Sequence, residues 1–521
     1  MHRVPAQAEA SGRNAQTGCL RRPPTEDRAD FFCFLDPVNF VSFRVNFGGL
    51  AMSAAQIVWL RRDLRLADQA ALVAAAERGP VIPVYVLDDI GAGARKLGGA
   101  SRWWLHHSLS WLAQALEARG SRLVLRRGNA AQVLAKIAQE AGTRSVHALH
   151  HYEPWWRAAE TAVAARLELT LHDGNYLTPP GTVKTGGGTQ YRIFTPYYRR
   201  LLDTMPPPAP LPVPVLDAPA QWPASDILAD WSLLPANPDW STGFARFWQV
   251  GENAAHARLT EFADDVAAYD RARNLPSVGG TSRLSPHLHW GELSPGQVWH
   301  ALARGQSESF LREIVWRDFA QNLIAQFPDY GDRGYRREYE MLAWRYPAQD
   351  RAAAKDLAAW QRGRTGYPIV DAGMRQLWAT GWMHNRVRMI AASFLVKHLL
   401  IDWREGERWF WDTLVDADLG NNATNWQWIS GSGADASLFT RIMAPLTQSA
   451  KFDAAAYIRE WVPELAGLPD AAIHEAVPLP PGYPARPGYP ARPGYSARIV
   501  GQVAARERAL AAYRAIKAKP A

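Results

Sequence analysis

At 521 residues, 47% hydrophobic and 21% charged, the chain is too long for a single core and too apolar to be disordered. No apolar run reaches the ~18 residues that a membrane crossing needs, and a net charge of +8 admits a nucleic-acid partner without requiring one. Both cysteines, Cys19 and Cys33, fall in the first 51 residues, which excludes disulfides and thiolate metal sites elsewhere and fits a reducing, cytoplasmic setting.

Residues 1–51 have no clear period and no signal-peptide pattern. Met52 stands just before "SAAQIVWLRRDLRL", so the sequence reads as a chain starting at Met52 behind a disordered extension. From 52 to 185, short apolar runs alternate with helical stretches. "QIVWL" (56–60), "VIPVYVL" (81–87), "SRLVLRRG" (121–128), "SVHALH" (145–150) and "LELTLHDG" (167–174) read as buried parallel strands. "RWWLHHSLSWLAQALEARG" and "AAQVLAKIAQEAG" carry helical period between them. That order predicts a doubly wound α/β domain.

Residues 186–241 are predicted to be an interdomain linker, because "DTMPPPAPLPVPVLDAPAQWP" (203–223) suits neither helix nor central strand. "TGGGTQ" (185–190) reads as a flexible loop. Residues 242–475 read as an all-helical domain. Residues 476–521 are a tail in which "PGYPAR" (481–486) recurs at 487–492 and, as "PGYSAR", at 493–498, before a final helix.

Tryptophan is over-represented. There are 23, and 13 lie between Trp290 and Trp461. Rings at that density build a core or a stacking pocket for a flat cofactor or base. Ordinary enzyme motifs are absent. "HLH" (287–289) lacks a carboxylate at metal-ligand spacing. "GSGADA" (431–436) matches a dinucleotide fingerprint only formally, since it lies in the helical half and not after a strand.

Four segments are better candidates. In "GGTSRLSPHLHWGELSP" (279–295), Thr281, Ser282 and Ser285 surround an Arg at a loop-to-helix transition, which suits either a phosphate or a plain helix cap. In "FLREIVWRDFAQNL" (310–323), Glu313, Trp316 and Arg317 share one helical face, as a site or as a surface pair beside a core ring. "GWMHNRVRMIAASFLVKHLLIDW" (381–403) reads as one helix with Asn385 and Met389 on one side, flanked by Arg386 and Arg388. "LVDADLGNNATNWQW" (414–428) offers Asp416, Asp418 and Asn422 in a short loop, able to bond a heterocycle edge or to form an Asx turn.

Together these segments resemble the DNA photolyase/cryptochrome family over about 52–475. "TSRLSPHL", "GRTGYPIVDAGMRQL", "GWMHNRVRM", "IDWREGERWF" and "NWQW" carry the likeness. The resemblance implies an α/β domain followed by a helical FAD-binding domain, and the light-driven splitting of cyclobutane pyrimidine dimers in UV-damaged DNA. It implies that Tyr269, Thr281, Ser282, Arg283, Leu284 and Ser285 hold the phosphate side of FAD, with Arg317 and Arg388 close by. Asp416 and Asp418 would contact the ribityl or isoalloxazine edge, and Asn422 would face flavin N5. Glu313, Trp316, Asn385, Arg386, Met389 and Trp428 would line the lesion pocket, and Arg273 would grip DNA. Trp426, Trp403 and Trp344 would relay electrons to the flavin.

The absence of Ser–His or His–Asp constellations fits this chemistry, because one-electron transfer needs no acid–base pair. Trp155-Trp156 stands where some relatives have an Asn-Glu pair; the two rings either stack an antenna, methenyltetrahydrofolate or 8-hydroxy-5-deazaflavin, or simply pack with no antenna. "ASLFTRIMAPLTQ" (436–448) departs from the usual "APYFRIFNP" and bears on the subgroup. A cryptochrome light receptor and a (6-4) photolyase are the rival readings; the latter carries His at the Asn385 position and lacks a Met at 389. The protein is expected to be a cytoplasmic monomer with no membrane contact, no metal and no obligate protein partner.

Overall fold

The computed structural model describes residues 54–302, 307–475 and 495–518. The leader 1–51 and the first two copies of the six-residue repeat lie outside them.

Strands β1 (Gln56–Leu60), β2 (Val81–Leu87), β3 (Val124–Arg127), β4 (Ser145–Leu149) and β5 (Glu168–His172) form one parallel sheet in the order β3-β2-β1-β4-β5. Every residue of β1 and β2 is buried, so these strands read as unbroken apolar runs instead of alternations. Helices α1 (Ala70–Ala76), α2 (Gly99–Glu117), α3 (Ala130–Ala141) and α4 (Pro154–Ala164) supply the crossovers.

The strand order reverses on either side of β1, which leaves a crevice at the carboxyl ends of β1 and β4. Charged side chains fill it. Arg61 Nη1 donates to Glu160 Oε1 at 2.6 Å, and Arg62 pairs with the buried Glu153. The loop after β1 then meets the helical domain. Leu64 N donates to Trp290 O at 3.0 Å, and a Cβ at Gly291 would fall 2.3 Å from Arg62 O. Gly291 also has φ +66°, so this turn needs glycine on two counts.

The linker is not wholly extended. α5 (Phe194–Leu202) forms inside it because Phe194, Tyr197, Tyr198 and Leu201 repeat at helical spacing and are all buried. "TGGGTQ" is a closed turn, with a bridge between Lys184 and Gln190. The Pro-rich stretch is extended as expected, and it lies along the α/β domain through Asp68 N to Leu211 O (2.8 Å) and Val81 N to Asp217 O (2.9 Å).

The helical domain is built on α6 (Glu252–Asp265), α7 (Ser285–Trp290), α8 (Glu308–Gln326), α9 (Arg351–Gln361), α10 (Pro368–Thr380), α11 (Asn385–Ser393), α12 (Trp403–Thr413), α13 (Leu419–Ser430) and, from the tail, α14 (Gln502–Lys517). Two sequence expectations change here. Segment 381–403 is not one helix. Gly381 ends α10 in a left-handed conformation, His384 caps α11, and a π-helical turn at Phe394–His398 gives way to a loop before Asp402 caps α12. Segment 414–428 is not all loop. The Asp418 side chain accepts from Asn421 N at 2.7 Å and starts α13, which puts Asn422 in its first turn. "GSGADA" is the end of that helix, with Gly431 at φ +81°.

The described residues from Tyr495 to Ile499 dock on the segment from Thr365 to Asp371. Tyr495 donates its hydroxyl to Asp371 at 2.9 Å, and Ile499 N donates to Thr365 O at 3.1 Å. Among the described residues, no helix is long and apolar enough to cross a membrane.

Lys397 sits in the π-helical turn, buried, with its amine donating to Arg441 O at 2.8 Å. Burial, with Arg441 nearby, lowers its pKa from 10.5 to about 7. The unfolded chain therefore binds this proton more tightly than the folded one. Stability from this group is complete above pH 10.5 and is lost as pH falls through 7. The thermal midpoint of Lys397→Met should accordingly vary less between pH 7 and about pH 10 than that of the parent; an equal slope would contradict this account.

Candidate functional site

A cavity of about 470 Å³ opens in the helical domain between α7, α8, α11 and α13. That is within the usual range of small-molecule sites. Tyr269, Arg273, Thr281, Ser282, Arg283, Ser285, Glu313, Trp316, Arg317, Asn385, Arg388, Met389, Asp416, Asp418, Asn422, Trp426 and Trp428 all line it. Leu284, Arg386, Trp403 and Trp344 do not.

Leu284 is buried behind the lining as core. Arg386 bonds Asn274 and lies over Phe452, with its guanidinium 4.5 Å from the ring centroid. Trp403 and Trp344 are buried deeper in the fold. The Trp403 helix packs on Trp426 through Gly406, where a Cβ would fall 2.1 Å from the indole. The Trp344 segment joins the chain just before Trp403 through Arg345 N to Leu400 O, 2.7 Å.

The cavity wall is charged and mostly paired. Arg388 binds Asp416 through both terminal nitrogens, at 3.2 and 2.9 Å, and Ser285 donates to the same carboxylate at 2.6 Å. Ser285 therefore serves Asp416 and does not cap its own helix. Arg62 stands 3.7 Å from Asp418. Arg317 donates to Asn175 O at 2.5 Å and to Leu288 O at 3.3 Å.

Arg283 differs. Among the described residues it has no carboxylate within ion-pairing distance, and its guanidinium lies 4.6 Å from the centre of the Phe247 ring. Its φ of +54° is strained for a residue with a side chain. A strained, unpaired cation lining a cavity suits an anionic group of a ligand.

Asn422 is oriented by its partners. Its amide nitrogen donates to Glu407 O at 3.0 Å and to Glu407 Oε1 at 2.9 Å. Both partners are acceptors, so the nitrogen must point to them and the side-chain oxygen is left for the cavity. Burial pushes the Glu407 carboxyl pKa up, opposed by Arg95, which grips it at 2.7 and 2.9 Å from the α/β domain. Neither Arg95 nor Glu407 stood out in the sequence.

Depth separates the aromatic residues. Trp426 is buried, edge-on to Phe410 at 5.1 Å and to Trp360 at 6.3 Å. Trp316, Met389 and Trp428 are half-buried, and Asn385 is exposed at the rim. Arg441 lies 6.0 Å from the Trp428 ring centroid, in the segment that departs from the family pattern. Glu313 at the rim is held by Arg273 at 2.6 Å. Trp156 packs edge-on to Trp59 at 6.2 Å, and Trp155 lies against Trp411 of α12 at 6.3 Å. Among the described residues no three His, Cys, Asp or Glu side chains are grouped to hold a metal.

Residues 310–515 match the FAD binding domain of DNA photolyase, and residues 56–215 match DNA photolyase. A deoxyribodipyrimidine photo-lyase of Agrobacterium fabrum is 46% identical over 481 residues, covering 89% of this chain and 98% of the relative. The chain belongs to the DNA photolyase family. The crystal structure of a bacterial class III photolyase from Agrobacterium tumefaciens superposes with a TM-score of 0.84 at 44% identity, covering 91% of this chain and all of that one. Cryptochrome-2 of Arabidopsis thaliana is 36% identical over 457 residues, covering 82% of this chain and 73% of its own. The photolyase fold thus accounts for the parallel sheet and the helical domain, and the match to an FAD binding domain includes most of the residues that line the cavity. The unpaired Arg283, the charged wall and the acceptor oxygen of Asn422 fit that cofactor.

Arg95→Met leaves Glu407 buried without a counter-charge and should lower stability by about 3–5 kcal/mol. Adding Glu407→Gln should recover a large part of the loss, because the two side chains form one unit. Thermal unfolding of the single and double variants checks this; a double variant no more stable than Arg95→Met would contradict it.

Proposed function

We propose that this chain is a light-driven enzyme that splits cyclobutane pyrimidine dimers in UV-damaged DNA. The carrying observation is the division of one cavity into a buried end, with Trp426, Asn422 and Asp416, and an accessible rim, with Trp316, Trp428, Glu313, Asn385 and Met389. A bound reduced FAD supplies one electron when it absorbs light and recovers it after the dimer opens.

The residues have separable tasks. Trp316 and Trp428 offer ring faces to bases taken out of the helix, which in a dimer are already poorly stacked. Each ring contributes about 1–3 kcal/mol per base. Glu313, fixed by Arg273, and Asn385 bond the pyrimidine edges; Met389 fills the apolar gap between them. The Asn422 oxygen accepts from a donor on the cofactor. Arg283 takes the phosphate side, with Tyr269, Thr281 and Ser282 around it. Arg317, Arg388 and Asp416 hold the remaining wall, and Asp418 lies beside them.

Trp426, Trp403 and Trp344 are the proposed electron route, supported by the Gly406 contact and by the backbone pairing of the Trp344 segment. Asn385 and Met389, both lining the cavity, favour dimer repair over the (6-4) reading. An antenna, methenyltetrahydrofolate before 8-hydroxy-5-deazaflavin, is proposed beside the half-buried Trp155. A cytoplasmic monomer acting on damaged DNA completes the proposal.

Illumination of the reduced protein with a thymine-dimer oligonucleotide should restore thymines, and darkness should not; no light-dependent repair would end the proposal. Glu313→Ala should lower repair by roughly tenfold or more, the worth of a hydrogen bond to a charged group, while FAD stays bound. Loss of FAD instead would move Glu313 to the cofactor. Trp403→Phe should abolish flavin photoreduction and spare repair when a chemical reductant is supplied.

A further inference from the structure

The "HLH" motif contains two histidines with opposite circumstances. His287 Nδ1 lies 2.6 Å from Glu292 Oε2, and Glu292 also accepts from Trp104 Nε1 at 3.0 Å. That cluster is buried and complete, and it belongs to the core. His289 is only 6% exposed and lines the cavity, yet neither ring nitrogen has a hydrogen-bond partner. Its ring stands edge-on to Trp290, with centroids 5.0 Å apart at 81°.

Burial, reinforced by Arg62 and Arg317, drives its pKa well below the ordinary histidine value, and the opposing pull of Asp416 is smaller. The ring is therefore neutral, with one N–H donor and one bare nitrogen acceptor. A buried donor or acceptor left unmet is costly to the fold. Two such atoms on one ring of a residue that lines the cavity point to a partner supplied by a ligand.

We propose that His289 is a further cofactor-binding residue, whose neutral ring hydrogen-bonds an uncharged polar edge of FAD, a sugar or ribityl hydroxyl or a heterocycle edge. The assignment rests on the reading that this cavity holds FAD. It also divides the wall by charge. The cationic Arg283 meets the phosphates, while His289 adds hydrogen bonds without a further positive charge beside Arg62, Arg317 and Arg388. Histidine serves here where lysine or arginine would crowd like charges.

The test uses the full-length protein stripped of flavin and titrated with FAD. His289→Phe keeps a ring of similar size and removes both polar atoms. It should weaken FAD binding about tenfold or more, and the flavin-free variant should be at least as heat-stable as the flavin-free parent, because two unmet polar atoms are gone. His289→Gln, which retains a donor and an acceptor, should restore most of the affinity. Parent-like affinity in His289→Phe would overturn the proposal. So would a less heat-stable flavin-free His289→Phe, since it would show that the imidazole already serves the protein. If the flavin-free parent itself takes up no FAD, the cavity reading fails first and the assignment falls with it.

Discussion

The salt bridge between Arg95 and Glu407 crosses from the α/β domain to the helical domain and fixes one wall of the cavity. A carboxylate buried this deeply is tolerated only with a counter-charge. Arg95 provides it by binding both oxygens, and one of the two, Oε1, also accepts from the Asn422 amide and orients it. The opposite wall follows the same rule through Arg388, Asp416 and Ser285. The cavity keeps its shape because its acids are paired within the wall, while among the described residues Arg283 has no ion-pair partner and the His289 ring nitrogens have no hydrogen-bond partner. The α/β domain is thus part of the site's support, through Arg62 near Asp418 as well as through Arg95.

One-electron chemistry explains what the site lacks. Neither a nucleophile with its base nor a metal cluster is required when the cofactor carries the reacting electron. The protein's work is placement. It keeps Trp426 and Asn422 away from water at depth and leaves the rings of Trp316 and Trp428 half-buried at the rim. Positions 426 and 428 are separated by about 200° around their helix, so one short stretch can face the interior and the entrance at once.

Much of this was legible in the chain. The inner strands β1 and β2 announced themselves as unbroken apolar runs. By contrast β5, read from the sequence as buried, lies at the sheet edge with no buried residue, and β3 at the other edge is buried only at Val124 and Leu125. The segments around Glu313, Asn385 and Trp428 marked the cavity. The sequence misled where a single side chain decided the backbone. Asp418 caps a helix and draws Asn422 out of an apparent loop, while Gly381, His384 and Asp402 divide an apparent single helix. It was silent where the partner was remote. Arg95 and Glu407 are 312 residues apart, and no local period links them. His289 was visible as half of a motif, but only burial separates it from the paired His287.

The central claim is that Trp426 and Trp428 serve opposite ends of one cavity. The most direct measurement compares Trp426→Phe and Trp428→Ala for two properties, flavin photoreduction and affinity for a thymine-dimer oligonucleotide. Trp426→Phe should lose photoreduction and bind the dimer normally. Trp428→Ala should photoreduce normally and bind the dimer about 5- to 150-fold more weakly, the worth of one stacked base. Either variant losing both properties together, or the two losses appearing in the opposite variants, would contradict the account.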